Sequence, residues 1–119
     1  MNITTANERA IITTIVCNVV RTDEMARRSY ERATRAKVNG VLATREAEDY
    51  EKDGNEGMAD VCKSFAESRS KVYRNNMRKA RDIVARLTSI PEDVVRDVLI
   101  ELAIDDVMGR LFDLDMLEM

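Results

Sequence analysis

The sequence predicts an all-α fold, a four- or five-helix bundle built on a long antiparallel α-hairpin of about residues 57–88 and 90–117. Three observations carry this. Four glycines and one proline in 119 residues leave few backbone breaks, so the helices should be long. Capping-box spacings, Thr5 with Glu8 and Ser89 with Glu92, each precede an apolar run. In residues 89–119, Ile100, Ile104, Val107, Leu111 and Leu114 follow a 4-3-4-3 spacing, a helical stripe rather than a strand's alternation. The chain is long enough to bury a core without disulfide or metal, and residues 1–119 are expected to form a single helical domain.

The first helix should cover about residues 6–21. Its β-branched run would suit a strand, but the cap at Thr5 and the shared face of Ile12, Ile15, Val16 and Val19 favour helix. Thr22 or Asp23 can cap a second helix, with Met25, Ala26, Tyr30 and Ala33 inward. Arg27, Arg28, Arg32, Arg35 and Lys37 then point outward. Asn39-Gly40 is a stop signal, with Thr44 then capping a short helix of residues 45–52; the alternative is one helix running through Gly40. Residues 53–57, DGNEG, form the clearest loop.

The helix of about residues 57–88 gathers Met58, Val61, Phe65, Val72, Ile83 and Leu87 on one arc. Tyr73, Met77, Ala80 and Val84 widen it at coiled-coil spacing. Arg69 sits on this arc as a salt-bridge partner, a snorkelling end or a polar register device. Only about three residues then separate this helix from the last, so the two should be antiparallel neighbours. Val94, Val95, Val98, Leu99 and Leu102 give the last helix a second apolar surface, with Asp97, Glu101 and Asp105 as a carboxylate ridge. A helix apolar round most of its circumference is a bundle's central post or a helix shared between subunits.

Charge is segregated along the chain. Residues 63–86 carry eight basic side chains against Glu67 and Asp82, and residues 92–118 carry nine acids against Arg96 and Arg110. Lys63, Lys71, Arg74, Arg78 and Arg81 share one helical face, a pattern that can neutralise phosphates. Aromatic platforms for base stacking are scarce, and no short helix-turn-helix is present.

Enzymatic function is not expected. The chain has no histidine, which removes the commonest general base, and no G-x-S-x-G or phosphate-loop motif. Glu48/Glu51 and Asp97/Glu101/Asp105 would serve a Mg²⁺-dependent hydrolase only if they met across facing helices. Residues 49–60 resemble the twelve-residue calcium loop of the EF-hand family. The resemblance implies Asp49, Glu51, Asp53 and Asp60 as ligands around Gly54. It departs at Glu56, where an apolar residue is usual, at Asp60, which is short for bidentate coordination, and in having no second loop. Apart from this Ca²⁺, no cofactor is expected.

Cys17 and Cys62 stand alone and suit reduced, core-filling thiols. The uncharged run of residues 10–20 is too short to span a bilayer and lacks a cleavage pattern, so a cytoplasmic chain without a membrane partner is expected. The leading functional expectation is a small regulatory adaptor or inhibitor that acts by protein–protein contact and self-associates as a homo-oligomer. Its interface would be Leu111, Phe112, Leu114, Met116 and Leu117, with Met108 and Met119 adding adaptable surface. The alternative is a nucleic-acid-binding regulator that uses the basic stripe of residues 57–88.

Overall fold

The computed structural model describes residues 5–118, and among them it contains four helices and no strand. They are α1 (Ala6–Thr22), α2 (Glu24–Lys52), α3 (Glu56–Thr88) and α4 (Glu92–Leu117). The molecule measures 51 × 28 × 27 Å.

Three of the four helix starts use a side-chain cap. The Glu8 N–H donates to Thr5 Oγ1 at 3.0 Å, as the capping box predicts. Ala26 N–H donates to Asp23 Oδ2 at 3.0 Å, so a single residue both ends α1 and starts α2. Met58 N–H donates to Asn55 Oδ1 at 3.2 Å and opens α3. The fourth start differs from the expected Ser89/Glu92 box. Ser89 instead closes α3 in a left-handed conformation (φ 60°), and Pro91 precedes α4 without a side-chain cap. A short link between two helices forces the chain to reverse at once, and the left-handed residue makes that reversal.

α2 runs unbroken through Gly40, and no separate helix begins at Thr44. The broadest helix–helix contact is between α2 and α3, which turn back on each other through residues 53–55 with Gly54 at φ 77°. α3 and α4 are neighbours, as their short link requires, but they touch over a smaller area.

The α2–α3 seam explains this balance. Ala26, Ser29, Ala33, Ala36, Gly40, Ala43 and Ala47 recur every three or four residues along α2, and all but Gly40 are buried. Ala59, Cys62, Ala66, Arg69, Tyr73, Asn76 and Ala80 keep the same rhythm along α3. Small residues let the helix backbones approach, so large side chains are displaced to the flanks. A Cβ added at Gly40 would stand 3.5 Å from Arg69 Cβ. This corrects the expected apolar arc: Met58, Val61, Phe65 and Leu87 are exposed, while Met77, Ala80 and Val84 are buried. It also corrects the second helix, where Met25 is exposed beside buried Ala26 and Tyr30.

The main core lies at one end of this pair. Val16 and Val20 of α1, Tyr30 and Ala33 of α2, Met77 and Val84 of α3, and Val95, Val98 and Leu99 of α4 meet there. Ile12 and Val19 pack on the cluster, whereas Ile15 is exposed. A smaller cluster joins Val107 and Leu111 of α4 to Val38, Val41 and Leu42 of α2. Tyr30 with Asp106 and Arg45 with Asp115 are further contacts in the same order, so α4 runs alongside α2 in the same direction. The post therefore meets the main core only in its first half. Both cysteines are free thiols, Cys62 buried and Cys17 half-buried.

Two substitutions check these backbone arguments. Ser89→Gly should raise stability by about 0.5–1 kcal/mol in urea unfolding, because glycine accepts positive φ without a Cβ clash. Gly40→Ala should be neutral or stabilising by up to about 1 kcal/mol, since 3.5 Å is ordinary contact, whereas Gly40→Leu should lose about 1–3 kcal/mol by forcing the seam apart.

Candidate interaction surfaces

The five residues expected to form an interface are divided by the structure. Leu111 is buried against α2 and belongs to the chain's own core. Phe112, Met116 and Leu117 are exposed, Phe112 at 63% and Leu117 at 82%, and Leu114 is just exposed. Met119 lies outside the described residues. A second row lies beside them: Ile100, Ile104, Met108 and Phe112 recur every four residues along α4, and all four are exposed. α4 turns its apolar circumference toward α1 and α3 in its first half, and toward α2 alone in its second.

Two hollows carry apolar surface onto α3. Leu42 lines a shallow one with Val61, Phe65 and Cys62, and the same Leu42 packs against Leu111 and Val107. Leu42 therefore links exposed Val61 and Phe65 of α3 to the small cluster between α2 and α4. Arg69 lies over the Phe65 ring at 5.4 Å and makes no ion pair among the described residues; its Nε is buried without a hydrogen-bond partner. The second hollow, about 320 Å³, lies between α3 and the first half of α4. Its floor is Tyr73, Met77, Leu99 and Ile100, and its rim is Arg74, Arg78, Arg81 and Arg96.

The basic stripe is partly neutralised within the chain. Lys63 pairs with Glu51 across the α2–α3 turn, and this hydrogen bond holds its ammonium pKa above the ordinary value. Arg81 contacts Asp82 at 2.8 Å and Glu92 at 3.8 Å. Lys71, Arg74 and Arg78 make no ion pair among the described residues. On α2, Arg27 pairs with Glu31 and Arg28 with Glu24, leaving Arg32 and Arg35 to solvent. The carboxylate ridge is engaged too: Glu101 pairs with Arg9 of α1, and Asp97 with Arg96.

The stretch resembling a calcium loop takes a different backbone. Asp49 and Glu51 lie in the last turns of α2, the turn itself is only residues 53–55, and Asp60 lies within α3. No group of three or more His, Cys, Asp or Glu that could hold a metal ion is gathered among the described residues. No described helix is long and apolar enough to cross a membrane.

The sequence also did not single out a mixed-charge cleft of about 520 Å³ between α1, α2 and α4. At its base the Tyr30 hydroxyl donates to Asp106 Oδ2. Burial, the hydrogen bond to Asp106 and that carboxylate's charge together push the Tyr30 phenol well above its ordinary value. Arg21, Arg27 and Arg110 share the cleft with Glu31, Asp105 and Asp113, so its charges largely offset one another. A spacing signal for the Tyr30–Asp106 pair does not exist, because the partners are 76 positions apart.

No protein-family model, curated protein or solved structure matches this chain.

The raised Tyr30 pKa has a defined sign. The folded chain keeps this proton more tightly than the unfolded chain, so the contribution is complete below pH 10.0 and declines as pH rises above it. Tyr30→Phe should lower stability at pH 7 by about 1 kcal/mol, since Asp106 can rehydrate at the surface. It should also flatten the loss of stability above pH 10, measured by urea midpoints from pH 7 to 11.

Proposed function

We propose that this chain is a non-enzymatic helical adaptor or inhibitor that works by protein–protein contact and associates with itself through the second half of α4. The observation that carries the proposal is the exposed row Ile100, Ile104, Met108 and Phe112, continued by Met116 and Leu117, on a helix whose opposite side is already satisfied by α2. Contiguous apolar surface on a folded chain marks a place where another chain binds, whereas scattered apolar residues do not. Methionines at two of these positions suit a surface that adapts to its partner. Charge segregation favours the same reading, since opposite charges on two copies steer association and fix its register.

A second reading, a nucleic-acid-binding regulator, is favoured by one observation: Lys71, Arg74 and Arg78 lie exposed on one helix without ion-pair partners among the described residues. Its reach is limited by the pairing of Lys63 and Arg81, the two ends of the stripe.

Light scattering coupled to size-exclusion chromatography, with absorbance at about 260 and 280 nm, separates the readings, because a chain without tryptophan shows bound nucleic acid plainly. The expected result is a dimer or larger with a low ratio. Phe112→Glu with Met116→Glu should weaken it at least tenfold, about 1.4 kcal/mol, with helicity unchanged because both side chains are exposed. A monomeric wild type up to the highest soluble concentration would remove self-association, and a high ratio that collapses in strong salt would favour the second reading.

A further inference from the structure

The charged side chains that line the groove between α3 and the first half of α4 are all arginines: Arg74, Arg78, Arg81 and Arg96. The cleft between α1, α2 and α4, in contrast, mixes both signs. We infer that the groove binds a free medium-chain fatty acid, its carboxylate held by Arg74 and Arg78 and its acyl chain laid on the floor of Tyr73, Met77, Leu99 and Ile100. Occupancy of this site does not require the self-association proposed above.

Charge argues for the head group. Arg81 is engaged by Asp82 and Glu92, and Arg96 by Asp97, so these two cations are already neutralised. Arg74 and Arg78 make no ion pair among the described residues. They stand one turn apart on α3, a spacing at which like charges repel mildly. A single carboxylate between them relieves that repulsion and accepts from both guanidinium groups, whose planar forks suit an oxyanion.

Shape and polarity argue for the tail. Met77 and Leu99 are buried and Tyr73 is half-buried, so the floor is recessed between the two helices. The α3 residues that line it, Tyr73 to Arg81, cover roughly 12 Å of helix. A hollow of about 320 Å³ drawn out over that length admits one slender apolar chain. Met77 adds a flexible, polarisable contact. A nucleic-acid backbone would use the arginines and leave this floor bare, since phosphate contacts need no apolar surface. A bilayer, being broad, would reach the rim but not Met77 and Leu99 beneath it.

Methyl NMR with decanoate, kept below its micelle concentration, tests this. Saturable shifts are expected at the Met77 and Ile100 methyl groups. Decanol, the neutral analogue, should bind at least tenfold more weakly. R74Q/R78Q should weaken decanoate binding at least tenfold with helicity unchanged, because both side chains are exposed. The decanol comparison needs no substitution, so it carries the test if that variant fails to fold. Decanoate should also shift Met77 in Phe112→Glu with Met116→Glu, so a monomeric wild type would remove self-association and leave this site standing. Shifts at Met108 without Met77 would place the acyl chain on the exposed row of α4, and the assignment fails. Equal affinity for decanoate and decanol, or undiminished binding by R74Q/R78Q, overturns it as well. If anionic phospholipid vesicles or a single-stranded oligonucleotide bind in a way that R74Q/R78Q abolishes, while decanoate leaves Met77 unmoved, the arginines serve that ligand and the inference fails.

Discussion

Along the seam between α2 and α3 the facing side chains are small: Ala33, Ala36, Gly40, Ala43 and Ala47 on one helix, Ala59, Cys62, Ala66 and Ala80 on the other. Small residues bury little area each, about a methyl group apiece, but they let two helix backbones run close over a long distance. The rest of the structure depends on that close approach. It sets the length of the molecule and places the turn at residues 53–55 far from the main core. It also excludes Val61 and Phe65 from between the helices. What would have been core in a wider bundle becomes surface.

The helices that flank this pair cover only one end of it. α1 is short, and together with the first half of α4 it closes the main cluster around Val16, Val84, Val95 and Leu99. Beyond that point α4 leans on α2 alone through Val107 and Leu111. Its apolar circumference is larger than its neighbours cover, and the surplus is the row from Ile100 to Phe112. The exposure of Met108, Phe112, Met116 and Leu117 is thus a consequence of helix lengths that do not match.

Electrostatics does not follow that division. Arg74 and Arg78, beside the main core, make no ion pair among the described residues. Opposite charges meet across helices at both ends of the bundle, as in Arg9 with Glu101 and Arg45 with Asp115. Surface pairs of this kind contribute little to stability. Their arrangement bears on which surfaces can approach one another, and so on partner and register.

The helical class, most of the helix boundaries and the cap at Thr5 were legible in the sequence alone, because these depend on neighbours within one turn, whereas the second cap stayed open between Thr22 and Asp23. The small-residue rhythm from Ala26 to Ala47 was also present in it, but hidden behind larger side chains that appeared to claim the core. It took the packed fold to show that Leu111 faces inward while Phe112 faces out, that Ser89 closes a helix instead of opening one, and that Asp49 and Glu51 are helical. The reason is physical. A helix's periodicity states which residues share a face, but whether that face is covered depends on where its neighbours end.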